Sequence, residues 1–185
     1  MSEKIRSFVA VDTSEQVKTE LSRLITELKA RTNLNVRWVK PEQMHLTLTF
    51  LGAVSQDFIE QAKVQLQDVA KGFKPFPCQL ENLGAFPSAQ RARVIWTGLK
   101  KGKAELKQLQ ATVSAALAKI GYVPEKRPFS PHLTLGRLRD FAPAEFMLEI
   151  AFTSSVWEVK EVILYQSNLY PDGPVYIPLA CFALI

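Results

Sequence analysis

The chain has 185 residues, 47% of them hydrophobic and 22% charged, with a formal charge of +5 and a pI near 9.2. That length buries one domain core without disulfide staples, and the composition excludes a disordered or collagen-like chain. The positive balance favours an anionic partner such as phosphate or RNA, although it also serves solubility; Lys100, Lys101 and Lys103 form the one short run, which excludes a basic coating tail.

Residues 5–11 read as a buried strand, followed by a helix to about Arg31 in which Val17, Leu21, Leu24, Ile25 and Leu28 recur at helical spacing, capped by Asp12, Thr13 or Ser14. A short extended piece at 36–39 leads through Pro41 to a strand at 44–51 that Gly52 ends. A second amphipathic helix spans 55–71, with Phe58, Ile59, Ala62, Leu66 and Val69 on one side. Strands at 76–86 and 93–99 flank a polar turn at 87–91. Gly102 precedes a third helix, 103–120, with Leu106, Leu109, Val113, Leu117 and Ile120 inward, and Gly121 closes it. A loop at 124–131 precedes a strand at 132–138, then a short helix at 142–150 and strands at 157–166 and 175–182. No linker or low-complexity stretch divides the chain, so one domain, 1–185, is expected.

Cys78 and Cys181 are too few for a disulfide framework or a metal cluster and read as buried, reduced thiols. The N-terminal apolar stretch, 8–11, is broken by Asp12, which predicts no signal-peptide core. No segment approaches the ~20 apolar residues of a membrane span. A cytoplasmic protein with no membrane partner is expected.

Both histidines of the chain, His45 and His132, open the same tetrapeptide, His-Leu-Thr-Leu, at 45–48 and 132–135. With 22 Leu and 10 Thr in 185 residues, the same Leu-Thr-Leu after each histidine is no accident of composition. The two copies stand 87 residues apart, close to half the chain, which implies two related lobes facing each other across a cleft. Strand alternation turns His45 and Thr47 one way and Leu46 and Leu48 the other, with the same parity for His132 and Thr134 against Leu133 and Leu135. For one copy, an ordinary strand with a polar outer face would be sufficient explanation. Two copies holding every imidazole of the chain make a catalytic pair.

Two imidazoles suit in-line displacement at phosphorus, one ring taking a proton from water while the other supplies one to the departing oxygen. Threonine hydroxyls donate hydrogen bonds to phosphoryl oxygens. Neither His-x-His nor His-Glu-x-x-His occurs, so no metal site and no cofactor are expected. A phosphate-binding Gly-x-x-x-x-Gly-Lys-Ser/Thr loop and a Gly-x-Ser-x-Gly elbow are likewise absent from the sequence.

The chain resembles the 2H phosphoesterases, and within them the RNA 2′,3′-cyclic phosphodiesterases also known as 2′-5′ RNA ligases. The resemblance is carried by 6–12 (RSFVAVD), 38–52 (WVKPEQMHLTLTFLG), 94–98 (VIWTG), 130–137 (SPHLTLGR) and 165–176 (YQSNLYPDGPVY). It implies an α+β bilobal fold: two pseudo-symmetric lobes, each an antiparallel sheet backed by helices, with one motif per lobe in a central cleft. It also implies metal-independent opening of a 2′,3′-cyclic phosphate at an RNA end to a 2′-phosphate, on tRNA fragments or cyclic nucleotides among other ends, by a monomer. His45 matches the proton donor to the leaving 3′ oxygen, His132 the base that activates water, and Thr47 and Thr134 the phosphate-holding threonines. A 5′-hydroxyl arriving at the same rings would give ATP-independent 2′-5′ ligation.

Other readings keep part of this picture: an RNA-trimming exonuclease, a small cyclic-nucleotide phosphodiesterase, or a non-catalytic RNA-binding module. Among the neighbours, strict alternation sends Arg137 away from the cleft with the leucines, unless Gly136 marks a bulge that turns it back to phosphate. Arg6 and Arg127 are further candidates for phosphate. Phe50 shares the leucine parity and is expected in the core. Phe129 is expected to close the core or stack a base, Trp38 to pack or flank the cleft, and Tyr165 and Ser167 to brace a strand pair beside the site.

Overall fold

The computed structural model describes residues 4–171 and 173–185. Residues 1–3 of the expected domain, and Asp172 within the stretch 165–176, lie outside them. The chain runs β1 (Ile5–Asp12), α1 (Glu15–Ala30), β2 (Val36–Trp38), a 3-10 turn (Pro41–Gln43), β3 (His45–Val54), α2 (Gln56–Ala70), β4 (Phe76–Phe86), β5 (Ala92–Lys101), α3 (Lys103–Ala118), β6 (Leu133–Ala142), α4 (Glu145–Leu148), β7 (Trp157–Val159), β8 (Glu161–Tyr170) and β9 (Gly173–Ala183).

Local signals place the helices. Ser14 is the cap of α1, its hydroxyl accepting from the Val17 amide at 3.3 Å, and Ser55 caps α2 through the Phe58 amide at 3.2 Å. Each cap satisfies an otherwise orphaned amide and stabilises its helix by about 1 kcal/mol. The apolar stripe of α1 is buried throughout. Gly102 opens α3 at φ +81, where a Cβ would stand 2.2 Å from the Cys78 sulfur, so only glycine fits.

Two antiparallel sheets result, one ordered β3-β1-β8-β9 and the other β2-β6-β5-β4-β7. Helix α2 lies against β8 and β9 and packs on α3, and one continuous apolar core joins both sheets. It contains Leu46, Leu48, Leu133 and Leu135, each at most 3% exposed. Burying such a side chain is worth roughly 1.5–3 kcal/mol, which locks the register of both motif strands against a one-residue slip. Among the described residues no helix is long and apolar enough to cross a membrane.

The fold is α+β and bilobal, but its lobes are not the two halves of the sequence. The first sheet takes β1 and β3 from the N-terminal half and β8 and β9 from the C-terminus, while β2 crosses to the second. The expected strand at 157–166 is accordingly two strands. Lys160 separates β7, which pairs with β4, from β8, which pairs with β1 and β9, and the chain changes sheet there. The helix expected at 142–150 is a single turn, because β6 extends to Ala142 and Ala144 supplies no side-chain cap. Gly52 does not end β3; at φ +73 it lies beside an irregularity in a strand that continues to Val54. Cys78 is buried as expected, whereas Cys181 is exposed.

Candidate active site

Both motif strands carry the same irregularity. Along β1, Ala10 pairs with Thr47 and Val9 with Thr49, so Leu48 is an extra residue. Along β5, Trp96 pairs with Thr134 and Ile95 with Gly136, so Leu135 is extra. These are β-bulges at the fourth position of each tetrapeptide, and each reverses the alternation beyond it. Thr49 and Gly136 therefore turn to the core, and Phe50 and Arg137 turn to the face that carries the histidine and threonine. Gly136 is required by close approach, since a Cβ there would stand 2.7 Å from Val36 Cγ1 and 2.9 Å from the Trp38 ring.

The bulges decide two expectations. Arg137 is on the cleft face, as the Gly136 reading allowed. Phe50 is not a core residue: it is 50% exposed, its ring centroid 6.0 Å from that of Phe8.

His45 sits on an aromatic floor. Its ring stacks on Phe8 at 4.8 Å between centroids and meets the edge of Tyr176 at 5.1 Å. Phe8, Ala10, Ile163 and Tyr165, with Tyr176 against them, form a small apolar cluster on this face of the first sheet, separate from the main core. Tyr165 also donates its hydroxyl to the Asp12 carboxylate, 3.0 Å from each oxygen, tying β8 to β1 as the bracing role required. Burial among these rings lowers the His45 pKa to about 4, partly offset by the backbone of Gln43.

His132, expected to open the strand at 132–138, stands one residue before β6, between Phe86 and Trp96, whose ring centroids lie 5.0 and 6.0 Å away. Its Nδ1 is 2.7 Å from the Ser130 carbonyl. A carbonyl only accepts, so Nδ1 carries the proton and Nε2 is left for chemistry. Burial lowers this pKa first; the Ser130 contact opposes that, and the charge of Arg137 lowers it further.

The two sheets meet here. Strands β3 and β6 are in contact, and Tyr176, which touches His45, lies in the fields of both Arg137 and Arg6. Arg37 on β2 pairs directly with Arg137, so its Cβ leaves the same face. Thr47 and Thr134 are both partly exposed on the histidine side of their strands. Trp38 and Phe129 are partly buried and pack against the main core. Ser167 is buried and pairs with Tyr176. Arg127 is exposed in the loop before His132.

Sequence reasoning missed Phe8, Tyr176, Phe86, Trp96 and Arg37. Their placement depends on register between distant strands, which a single sequence does not express. Among the described residues no group of three or more His, Cys, Asp or Glu side chains converges as a metal-binding set. The arrangement can shuttle two protons between imidazoles held in apolar walls, with guanidinium and hydroxyl groups at hand for an anion.

A model of the family described as LigT like Phosphoesterase matches residues 11–96 and 98–176. The RNA 2′,3′-cyclic phosphodiesterase of Methanothermobacter thermautotrophicus is 32% identical, covering 98% of this chain and 100% of its own length. That of Archaeoglobus fulgidus is 34% identical over 96% of this chain and 99% of its own. Among solved structures, TT0787 of Thermus thermophilus superposes with a TM-score of 0.86 at 29% identity, covering 97% of this chain and 98% of that one. Escherichia coli LigT complexed with 3′-AMP gives 0.76 at 28%, covering 98% and 99%.

Proposed function

This chain belongs to the LigT like phosphoesterase family and is a phosphodiesterase; from that premise we propose that it opens terminal 2′,3′-cyclic phosphates of RNA to 2′-phosphates by paired-histidine acid–base catalysis. What supports the reading is that β3 and β6, which carry or adjoin the two histidines, are in contact, with Arg137 in the field of both His132 and the tyrosine that touches His45. The names of the full-length relatives support the substrate class.

His132 takes a proton from water through Nε2 as the water oxygen attacks phosphorus, and the bond from phosphorus to the 3′ oxygen breaks. His45, as imidazolium, gives its proton to that oxygen. The products are a 2′-phosphate and a 3′-hydroxyl, and exchange with solvent resets both rings. Thr47, Thr134 and Arg137 hold the non-bridging oxygens, donors whose loss typically lowers the rate by about 10²–10³.

The pKa pattern fits this division of labour. Burial first, and the charge of Arg137 after it, favour a neutral His132, as a base must be. The His45 pKa is lowered by burial, against the opposing contact with the Gln43 backbone. A phosphate anion entering that dry site restores the imidazolium most effectively where the surroundings are least polar.

The reaction is metal-free and cofactor-free, since each proton has an imidazole to take or supply it. A 5′-hydroxyl arriving in place of water would form a 2′-5′ linkage without ATP. The whole site comes from one chain, which suits a monomer, and cyclic-ended RNA fragments suit a cytoplasmic enzyme.

The test uses an oligoribonucleotide with a 2′,3′-cyclic end. Wild-type protein should release the 2′-phosphate in the presence of a chelator, and His45→Ala and His132→Ala should each slow it at least about a hundredfold. Full activity in either variant would overturn the reading, as would a 3′-phosphate product.

A further inference from the structure

Beyond the second motif, β6 carries charge that the reaction at phosphorus does not use. Arg137 and Arg139 leave one face of the strand, and the buried Leu138 between them leaves the other. The Arg139 amide donates to the Asn35 carbonyl at 3.0 Å, so regular pairing with the segment leading into β2 continues to that residue. Both flanking strands add to the stretch. Arg37 of β2 pairs with Arg137 on one side; on the other, Val94 of β5 pairs with Arg137, which brings Arg91 and Arg93 to the far end of β6. All five arginines are exposed, and among the described residues none forms an ion pair with a carboxylate.

The far end has its own support. The guanidinium carbons of Arg91 and Arg93 lie 4.6 and 5.2 Å from the centroid of the Phe141 ring. A ring face positions a cation without neutralising it, so both charges stay available to an anion. From His132 to Phe141 is nine residues, at most roughly 30 Å of strand, which spans several nucleotides of single-stranded RNA. A row of guanidiniums that starts at the catalytic phosphate site is complementary to a row of phosphates continuous with the reacting one.

Resting on the phosphodiesterase reading, we propose that Arg139, Arg91 and Arg93 form a track for the backbone of the RNA strand upstream of its cyclic end, so that the substrate lies along β6 with only its last phosphate at the histidines. The track makes polymer ends better substrates than cyclic mononucleotides. Its contacts are to phosphate, so it reads no base sequence.

The experiment compares wild type, the triple variant Arg91→Ala, Arg93→Ala, Arg139→Ala and the corresponding triple lysine variant on two substrates: a cyclic-ended oligoribonucleotide of about ten nucleotides, and adenosine 2′,3′-cyclic monophosphate, which has no upstream phosphate. At about 50 mM salt the alanine variant should raise KM for the oligonucleotide at least about tenfold, with kcat within about threefold. Its slope of log KM against log salt should fall by about 2, or about 0.7 for each lost phosphate contact. The lysine variant should keep both values near those of wild type, and on the mononucleotide all three proteins should match. Unchanged KM and slope for the oligonucleotide in the alanine variant, or an equal rise on both substrates, overturns the track while leaving the phosphodiesterase reading intact. Wild-type protein that turns over neither substrate overturns that reading and the track with it.

Discussion

His45 and Tyr176 meet edge to face with their ring centroids 5.1 Å apart, and the same tyrosine lies in the field of Arg137 from the other sheet. This contact lies within the first sheet and keeps the His45 imidazole in an apolar niche, while Arg137, on the second sheet, acts both on Tyr176 and on the other imidazole, His132.

Both imidazoles have pKa values below the usual 6.5, His45 at about 4. The competent free protein carries one proton on the pair, so kcat/KM should follow a bell with its maximum below about pH 6.5, its two limbs belonging to the coupled pair. A bound phosphate anion favours the second proton, so the kcat bell should lie at higher pH than the kcat/KM bell. Steady-state rates over a pH series test this; a kcat/KM maximum at or above about pH 7.5 would contradict it.

Arg137→Ala removes one cause of the lowered His132 pKa. The bell should move to higher pH while kcat/KM falls about a hundredfold. Arg137→Lys keeps the charge and should leave the bell in place, although it loses the forked geometry. An alanine variant with an unmoved profile would remove Arg137 from the site.

Acid stability follows from His45. Its folded pKa is below its unfolded value, so the stability it contributes is fully present above pH 6.5 and is lost as the pH falls through about 4. The full loss is on the order of 3 kcal/mol. Urea unfolding of wild type and His45→Asn at pH 7 and pH 4 should show the wild type losing more by about that amount. Equal losses would mean that His45 is not held in an apolar niche.

Much of this was legible in the sequence because it rests on local rules. The helical stripes of α1 and α2, and the alternation of His45 and Thr47 against Leu46 and Leu48, follow from period and capping. Other features depend on long-range pairing. The bulge after Leu48 breaks parity for no reason visible at that residue, which is why Phe50 read as core. The bulge after Leu135 was legible because a glycine follows it. The change of sheet at Lys160 lies inside one unbroken β-prone run, and hydrophobic period carries no information about which sheet a strand joins. Phe8 and Tyr176 reach His45 only through register along β1 and between β8 and β9.

The central claim is that His45 and His132 act on one phosphorus atom from opposite sides. The most direct measurement is a crystal structure with a nucleoside 2′,3′-vanadate in the cleft, where vanadium takes the place of phosphorus in a five-coordinate state. The account predicts one imidazole nitrogen within about 2.6–3.2 Å of each apical oxygen, His45 on the 3′ oxygen and His132 on the water-derived one. Vanadate bound with either imidazole beyond hydrogen-bonding reach of both apical oxygens would contradict it.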